Sequence, residues 1–181
     1  MIFRIAKNLS RLRNVPYRRE ALQAGALMAT GDLIAQCYVE KKEWKKVDVE
    51  RTEKFFLIGA FVIGPPLGKW YSVLHRIFGK GVKFAALKKV TIDQLLFAPI
   101  FTGMVLSVIN FTNHFSVESM IAKVKEDYPD VIKNNYKVWP AVQLFNFYMV
   151  PLKYQVFAVQ IVAILWNTYI SWKTNFVKPK D

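Results

Sequence analysis

A chain of 181 residues has the size of one domain, and this one is 53% hydrophobic yet carries a net charge of +13. In a soluble protein such basicity would point to nucleic acid, but here the charges flank apolar runs instead of clustering among aromatics, so direct nucleic-acid binding is set aside. The single cysteine, Cys37, excludes an intramolecular disulfide, a CxxC redox pair and a Cys-rich metal site, and is expected to be a small buried apolar side chain.

The charge alternates along the chain. Residues 1–20 hold six basic side chains against one acidic, residues 40–54 six against five, and residues 75–89 five against none. Residues 118–137 hold four of each, and residues 173–181 three against one. Excess Lys and Arg mark the side from which a membrane chain inserts. Four spans with both termini on one side would give this pattern. The expected fold is therefore all-α: a polytopic membrane helical bundle of about four transmembrane helices, plus an amphipathic helix and a short proline-bounded helix. Residues 1–19 read as a basic N-terminal segment, 20–172 as a single transmembrane domain and 173–181 as a basic tail.

In the first segment Ile2, Ile5, Leu9 and Leu12 fall on one helical face and Arg4, Lys7 and Arg11 on the other. That is the style of a mitochondrial targeting segment. A basic helix lying on anionic lipid fits equally well, and both hold for an uncleaved segment. Glu20 to Val39 is the first predicted span. Ala21, Gly25, Ala29, Asp32 and Gln36 share one stripe, whose small residues let another helix approach closely. Asp32 and Gln36 on that face should meet protein or water and not lipid, either as an interhelical staple or as a pore lining.

Lys41 to Lys54 reads as a solvated mixed-charge loop, followed by a second span, Phe55 to Phe78, interrupted at Pro65-Pro66. Beyond the break, Lys69 is expected to snorkel towards headgroups. Gly64-x-x-x-Gly68-Lys69 is one residue short of a phosphate-binding loop, lacks the following Ser or Thr and contains two prolines, so it is rejected. Gly79-Lys80-Gly81 reads as a turn. Gln94 to Val117 is the third span, with Pro99 expected to kink it and with Gly103 and Ser107 offering a small contact surface. Asp93 sits near the basic side, where an ion pair with a loop lysine would account for it.

Val117, Met120, Ile121 and Val124 have amphipathic spacing, and Asp127-Tyr128-Pro129-Asp130 is expected to end that helix. From Val138 to Trp172 the only charge is Lys153. The stretch is too long for one upright span, because a bilayer core needs only about 20 helical residues. Pro140 and Pro151 divide it into a short segment, where Trp139, Gln143, Asn146 and Val150 share a face, and a span from Leu152 to Trp172. In that span Lys153, Gln160, Asn167 and Ser171 form a polar line, and Trp166, Tyr169 and Trp172 suit an interfacial aromatic belt.

These residues also carry a likeness. Gly31-Asp32-x-x-x-Gln36, Gly64-Pro65 with Trp70-Tyr71, Asp93-Gln94 with Pro99, Asp127-Tyr128-Pro129-Asp130, Trp139-Pro140-x-x-Gln143, Asn146-Phe147 and Trp166-Asn167-x-Tyr169-x-Ser171-Trp172 occur in order. Together they resemble the Mpv-type family of small mitochondrial and peroxisomal membrane proteins, and most of all its mitochondrial inner-membrane member. The resemblance implies a four-span channel for small solutes, with the peroxisomal membrane as the alternative location. It further implies a role in mitochondrial homeostasis, through membrane potential, reactive oxygen species and maintenance of mitochondrial DNA. Many members carry His at the place of Gly68 and Arg at that of Gln155, which weakens any scheme needing a cation or imidazole there.

The candidate pore-lining or interhelical polar residues are thus Asp32, Gln36, Asp93, Gln143, Asn146, Lys153, Gln160 and Asn167. The expected partners are the lipid bilayer, small solutes and further copies of the chain, since four spans leave little room for a central hole. His75 and His114 are isolated near span ends, and no nucleophile, metal or cofactor pattern accompanies them, so no enzymatic activity and no cofactor are expected.

Overall fold

A computed structural model describes residues 17–78, 84–150 and 152–175. Among the described residues there is no strand. Helix α1 (Arg18–Ile34) runs into a wider π-helical turn, Ala35–Val39. Helix α2 (Val49–Leu57), a second π-helical stretch (Ile58–Ile63) and α3 (Gly64–Phe78) follow without a break. So do α4 (Ala85–Ile92), a third π-helical stretch (Asp93–Phe97) and α5 (Ala98–His114). Two long helices close the chain, α6 (Val117–Met149) and α7 (Leu152–Asn175). The N-terminal segment to Pro16, the predicted turn at Gly79-Lys80-Gly81 and the tail from Phe176 lie outside the described residues.

Two of the π-helical stretches have a local cause. Pro65, Pro66 and Pro99 have no N–H to give and their rings crowd the preceding turn. Widening that turn removes the conflict without breaking the helix. The expected kinks are therefore absorbed inside continuous helices. Val49–Phe78 and Leu87–His114 are both long and apolar enough to cross a membrane. Their outward side chains fit that reading: Leu95 and Ile100 are 72% and 69% exposed. A soluble protein would have to hide such a surface, whereas lipid accepts it.

Three expectations need correction. The predicted loop Lys41–Lys54 is helical from Val49, because Asp48 caps α2: its carboxylate accepts the Arg51 backbone N–H at 3.0 Å. The break expected at Asp127-Tyr128-Pro129-Asp130 does not occur, and the short proline-bounded segment is not separate. Both belong to α6, whose 33 residues run through Pro129 and Pro140. Tertiary packing overrides the prolines here: Val131 is fully buried against α5, and the Tyr128 hydroxyl donates to the Pro99 carbonyl at 3.2 Å. The third correction is to Cys37, which is half-buried and not fully enclosed.

Helix α1 is the hub. It packs on α2, the Ile58–Ile63 stretch, α3 and α7, while α6 packs on α5 and α7. Small residues make this possible. A Cβ built on Gly59 would stand 2.7 Å from the Gly25 Cα, so α1 and the second π-helical stretch touch backbone to backbone. The apolar core then collects Met28, Phe55, Ile58, Leu106, Ile109, Val131 and Ile170 from five helices and the π-helical stretch.

Candidate functional site

The stripe predicted on α1 delivers Asp32 and Gln36 into the bundle, and both are fully buried. Asp32 meets three other elements. Its Oδ2 accepts from Gln36 Nε2 at 2.8 Å and from Thr52 Oγ1 at 2.6 Å. Its Oδ1 accepts from Ser171 Oγ on α7 and lies 2.7 Å from Arg51 Nε. That Nε approach does not meet hydrogen-bond geometry, so it acts as an ion pair only. The outer guanidinium nitrogens form a fork on Glu40 at 2.7 and 3.0 Å, and Nη2 also donates to Ser171 at 2.8 Å. A carboxylate has about four lone-pair sites; three of those of Asp32 accept hydrogen bonds from the protein, and the Arg51 guanidinium balances its charge.

Gln36 is equally consumed. Its amide pairs with the Asp48 backbone like a strand neighbour, accepting from Asp48 N at 2.7 Å and donating to Asp48 O at 3.0 Å. The cluster therefore fastens α1, α2 and α7 at one end of the bundle. Arg51 and Thr52 are the members that sequence reading missed, because a run of mixed charges looks solvated. The available signal was periodicity: Arg51 lies one turn before the buried Phe55, on the same face.

Glu40, at the rim of this cluster, gives it a pH dependence. Burial pushes its carboxyl up, but hydrogen bonding and charge from Arg51, helped by Lys42, outweigh that and hold it below its ordinary range. A carboxyl lowered in the folded state contributes stability above its unfolded pKa and loses it as pH falls through the folded value. Thermal stability in micelles is therefore expected to drop as pH falls below about 4.3, the ordinary glutamate value. Glu40→Gln should flatten that drop. An unchanged pH profile in the variant would count against the assignment. Asp127 on α6 works in the opposite sense: burial raises its carboxyl against the pull of Lys173, and its Oδ2 has no hydrogen-bond partner among the described residues. Comparing the variant with the parent cancels that contribution.

A second polar group surrounds a cavity of about 210 Å³ between α1, α3, α5, α6 and α7. Its lining includes Asp93, Gln143 and Asn167 together with Phe97, Trp139 and Trp166. Among the described residues Asp93 makes no lysine pair, and Lys80 and Lys83 of the predicted loop, where the expected pair would fall, lie outside them. Asp93 Oδ1 accepts from Trp70 Nε1 at 2.7 Å and its Oδ2 from Gln94 Nε2 at 2.9 Å, while Gln94 accepts from Asn135 at 3.0 Å. Among the described residues neither Gln143 nor Asn167 has a side-chain hydrogen bond to protein. Trp166 does not sit in an outer belt. It packs edge-on to Trp139 at 6.1 Å and tilts against Tyr169 at 5.4 Å.

The candidate polar residues thus separate into two groups. Asp32 and Gln36 belong to the fastening cluster, and Asp93, Gln143 and Asn167 to the cavity. Gln160 is half-buried and lies off the cavity. The side chains of Asn146 and Lys153 lie outside the described residues, as does that of His75. Lys69 is exposed, as snorkelling requires. His114 borders a separate polar cleft beside Lys173.

Helices without strands, an apolar exterior and polar side chains turned inward define an all-α membrane helical protein. The profile of the Mpv17 / PMP22 family matches residues 110–171. Over 160 residues the chain is 44% identical to mitochondrial inner membrane protein Mpv17 of Xenopus laevis, covering 88% of this chain and 90% of that one. Over 160 residues it is 43% identical to the Homo sapiens protein of the same name, covering 88% and 91%, and 42% identical to that of Danio rerio, covering 88% and 90%. No solved structure gives a significant match. The chain belongs to the Mpv17 / PMP22 family, as its ordered motifs indicate, and with these relatives it is placed in the mitochondrial inner membrane.

Proposed function

We propose that the protein is a channel for small solutes in the mitochondrial inner membrane, with no catalytic reaction of its own. One observation carries this reading: a cavity among membrane helices is lined by two amides, Gln143 and Asn167, that have no side-chain hydrogen bond among the described residues. An uncommitted amide away from bulk water is costly, and a passing solute or water removes the cost. A space of 210 Å³ is a chamber and not an open pore. Conduction therefore involves helix movement or assembly of several copies. Supply of a metabolite through such a pore would support membrane potential, redox balance and mitochondrial DNA without any contact with DNA.

Single-channel recording in planar bilayers tests the proposal. Replacing Gln143 and Asn167 together by leucine is expected to lower conductance several-fold while the melting temperature holds or rises, because partnerless polar groups are removed. Unchanged conductance would remove the cavity from the pathway. A second reading is favoured by the Asp32 cluster, whose side chains fasten α1, α2 and α7 to one another: a non-conducting scaffold. Purified parent protein that never conducts would select it.

A further inference from the structure

We propose that the cavity is a binding site for a small organic ammonium ion. Asp93 brings a carboxylate to its wall, and both oxygens are held by neutral donors, Trp70 Nε1 and Gln94 Nε2. Neutral donors orient a carboxylate without cancelling its charge. Among the described residues no Lys or Arg forms an ion pair with Asp93, and Lys69, beside Trp70 in the sequence, is exposed. This contrasts with Asp32, which is neutralised by Arg51. Each Asp93 oxygen accepts one hydrogen bond, about half of what a carboxylate can take, so acceptor capacity remains for a ligand.

The other walls suit the same ligand. Phe97 is stacked on by both Trp70 and Phe101 at 4.7 Å, so its own faces are covered, while Trp139 meets Trp166 edge to face at 6.1 Å and supplies the aromatic surface. Aromatic faces attract ammonium groups and also accept an apolar body, with gains of about 0.5–2 kcal/mol per cation–π contact. The carbonyl oxygens of Gln143 and Asn167, which accept nothing among the described residues, can take the remaining N–H donors. An anion would meet the Asp93 charge, which no cation among the described residues pairs with. A neutral molecule of equal size would leave that charge unpaired. These contacts therefore select positive charge on a compact organic body.

This inference shares with the channel reading the requirement that solute can reach the cavity, but it is tested without a gradient. Full-length protein in lipid nanodiscs is titrated at neutral pH with benzylamine, benzyl alcohol and benzoate, followed by tryptophan fluorescence, with empty nanodiscs subtracted. Benzylamine, protonated at that pH, is expected to bind saturably and at least tenfold more tightly than benzyl alcohol, with benzoate weakest. Asp93→Asn should abolish the gap between amine and alcohol. If that variant fails to fold, Gln143→Lys supplies the same test by placing a competing cation in the wall. Equal binding of amine and alcohol to the parent protein, or tighter binding of benzoate, would overturn the site. Charge-selective binding without conductance would sink the channel and keep the site. Conductance with charge-indifferent binding would do the reverse.

Discussion

Arg51→Met is expected to lower the stability of the folded protein by about 3–5 kcal/mol, the range for removing one member of a buried ion pair. The reason is what stays behind. Asp32 is 0% exposed and Arg51 8% exposed, so water cannot replace the guanidinium. Glu40 loses both arms of its fork, and Ser171 loses one of its two partners in the cluster. Methionine fills much of the same volume, which keeps the loss electrostatic rather than steric. Asp32→Asn in the Arg51→Met background should restore part of the stability by removing the orphaned charge. Non-additivity of that kind is the signature of a shared network. Equilibrium unfolding in mixed micelles of the parent, both single variants and the double variant reads the cycle. A loss below about 1 kcal/mol for Arg51→Met, the range of an exposed pair, would mean that the cluster is solvated and not a fastener.

The same residue shows where sequence reading stops. Apolar runs and flanking charge were enough for an all-α membrane protein, and Asp32 and Gln36 could be placed on one buried face from spacing alone. Polar residues on a hydrophobic helix stand out because burial there is expensive. Arg51 does not stand out, since its neighbours Glu50, Glu53 and Lys54 are charged as well. Its role comes from contacts distant in sequence, with Asp32, Glu40 and, 120 residues away, Ser171. Pro129 fails for the opposite reason. Locally it forbids a helix, yet α6 has enough packing against α5 and α7 to carry the defect. The cavity was legible as separate polar stripes on α6 and α7, but not as one chamber. Spacing fixes which face a side chain lies on, while which faces meet depends on helix crossings.

One such crossing can be tested directly. Gly31 precedes Asp32 and marks the closest approach of α1 to α7: a Cβ there would stand 2.5 Å from the Asn167 Cβ and 2.8 Å from the Thr168 backbone nitrogen. Neither neighbour can swing aside, because one is a first side-chain carbon and the other is main chain. Gly31→Ala is therefore expected to cost about 1–3 kcal/mol, the range for overpacking, and Gly31→Val more. The cost should come with a second effect. Moving α7 away carries Ser171 from Asp32 and Asn167 from its place in the cavity wall, so fastening and lining are disturbed together. Gly103→Ala is the control. Its new Cβ would sit 3.6 Å from Tyr128 Cε2, an ordinary contact. Mid-helix alanine gains about 0.5–1 kcal/mol over glycine, so that variant should melt at the same temperature or higher. Thermal unfolding of both variants in one detergent decides the matter: a harmless Gly31→Ala beside a damaging Gly103→Ala would show that α1 and α7 do not cross where their small residues put them.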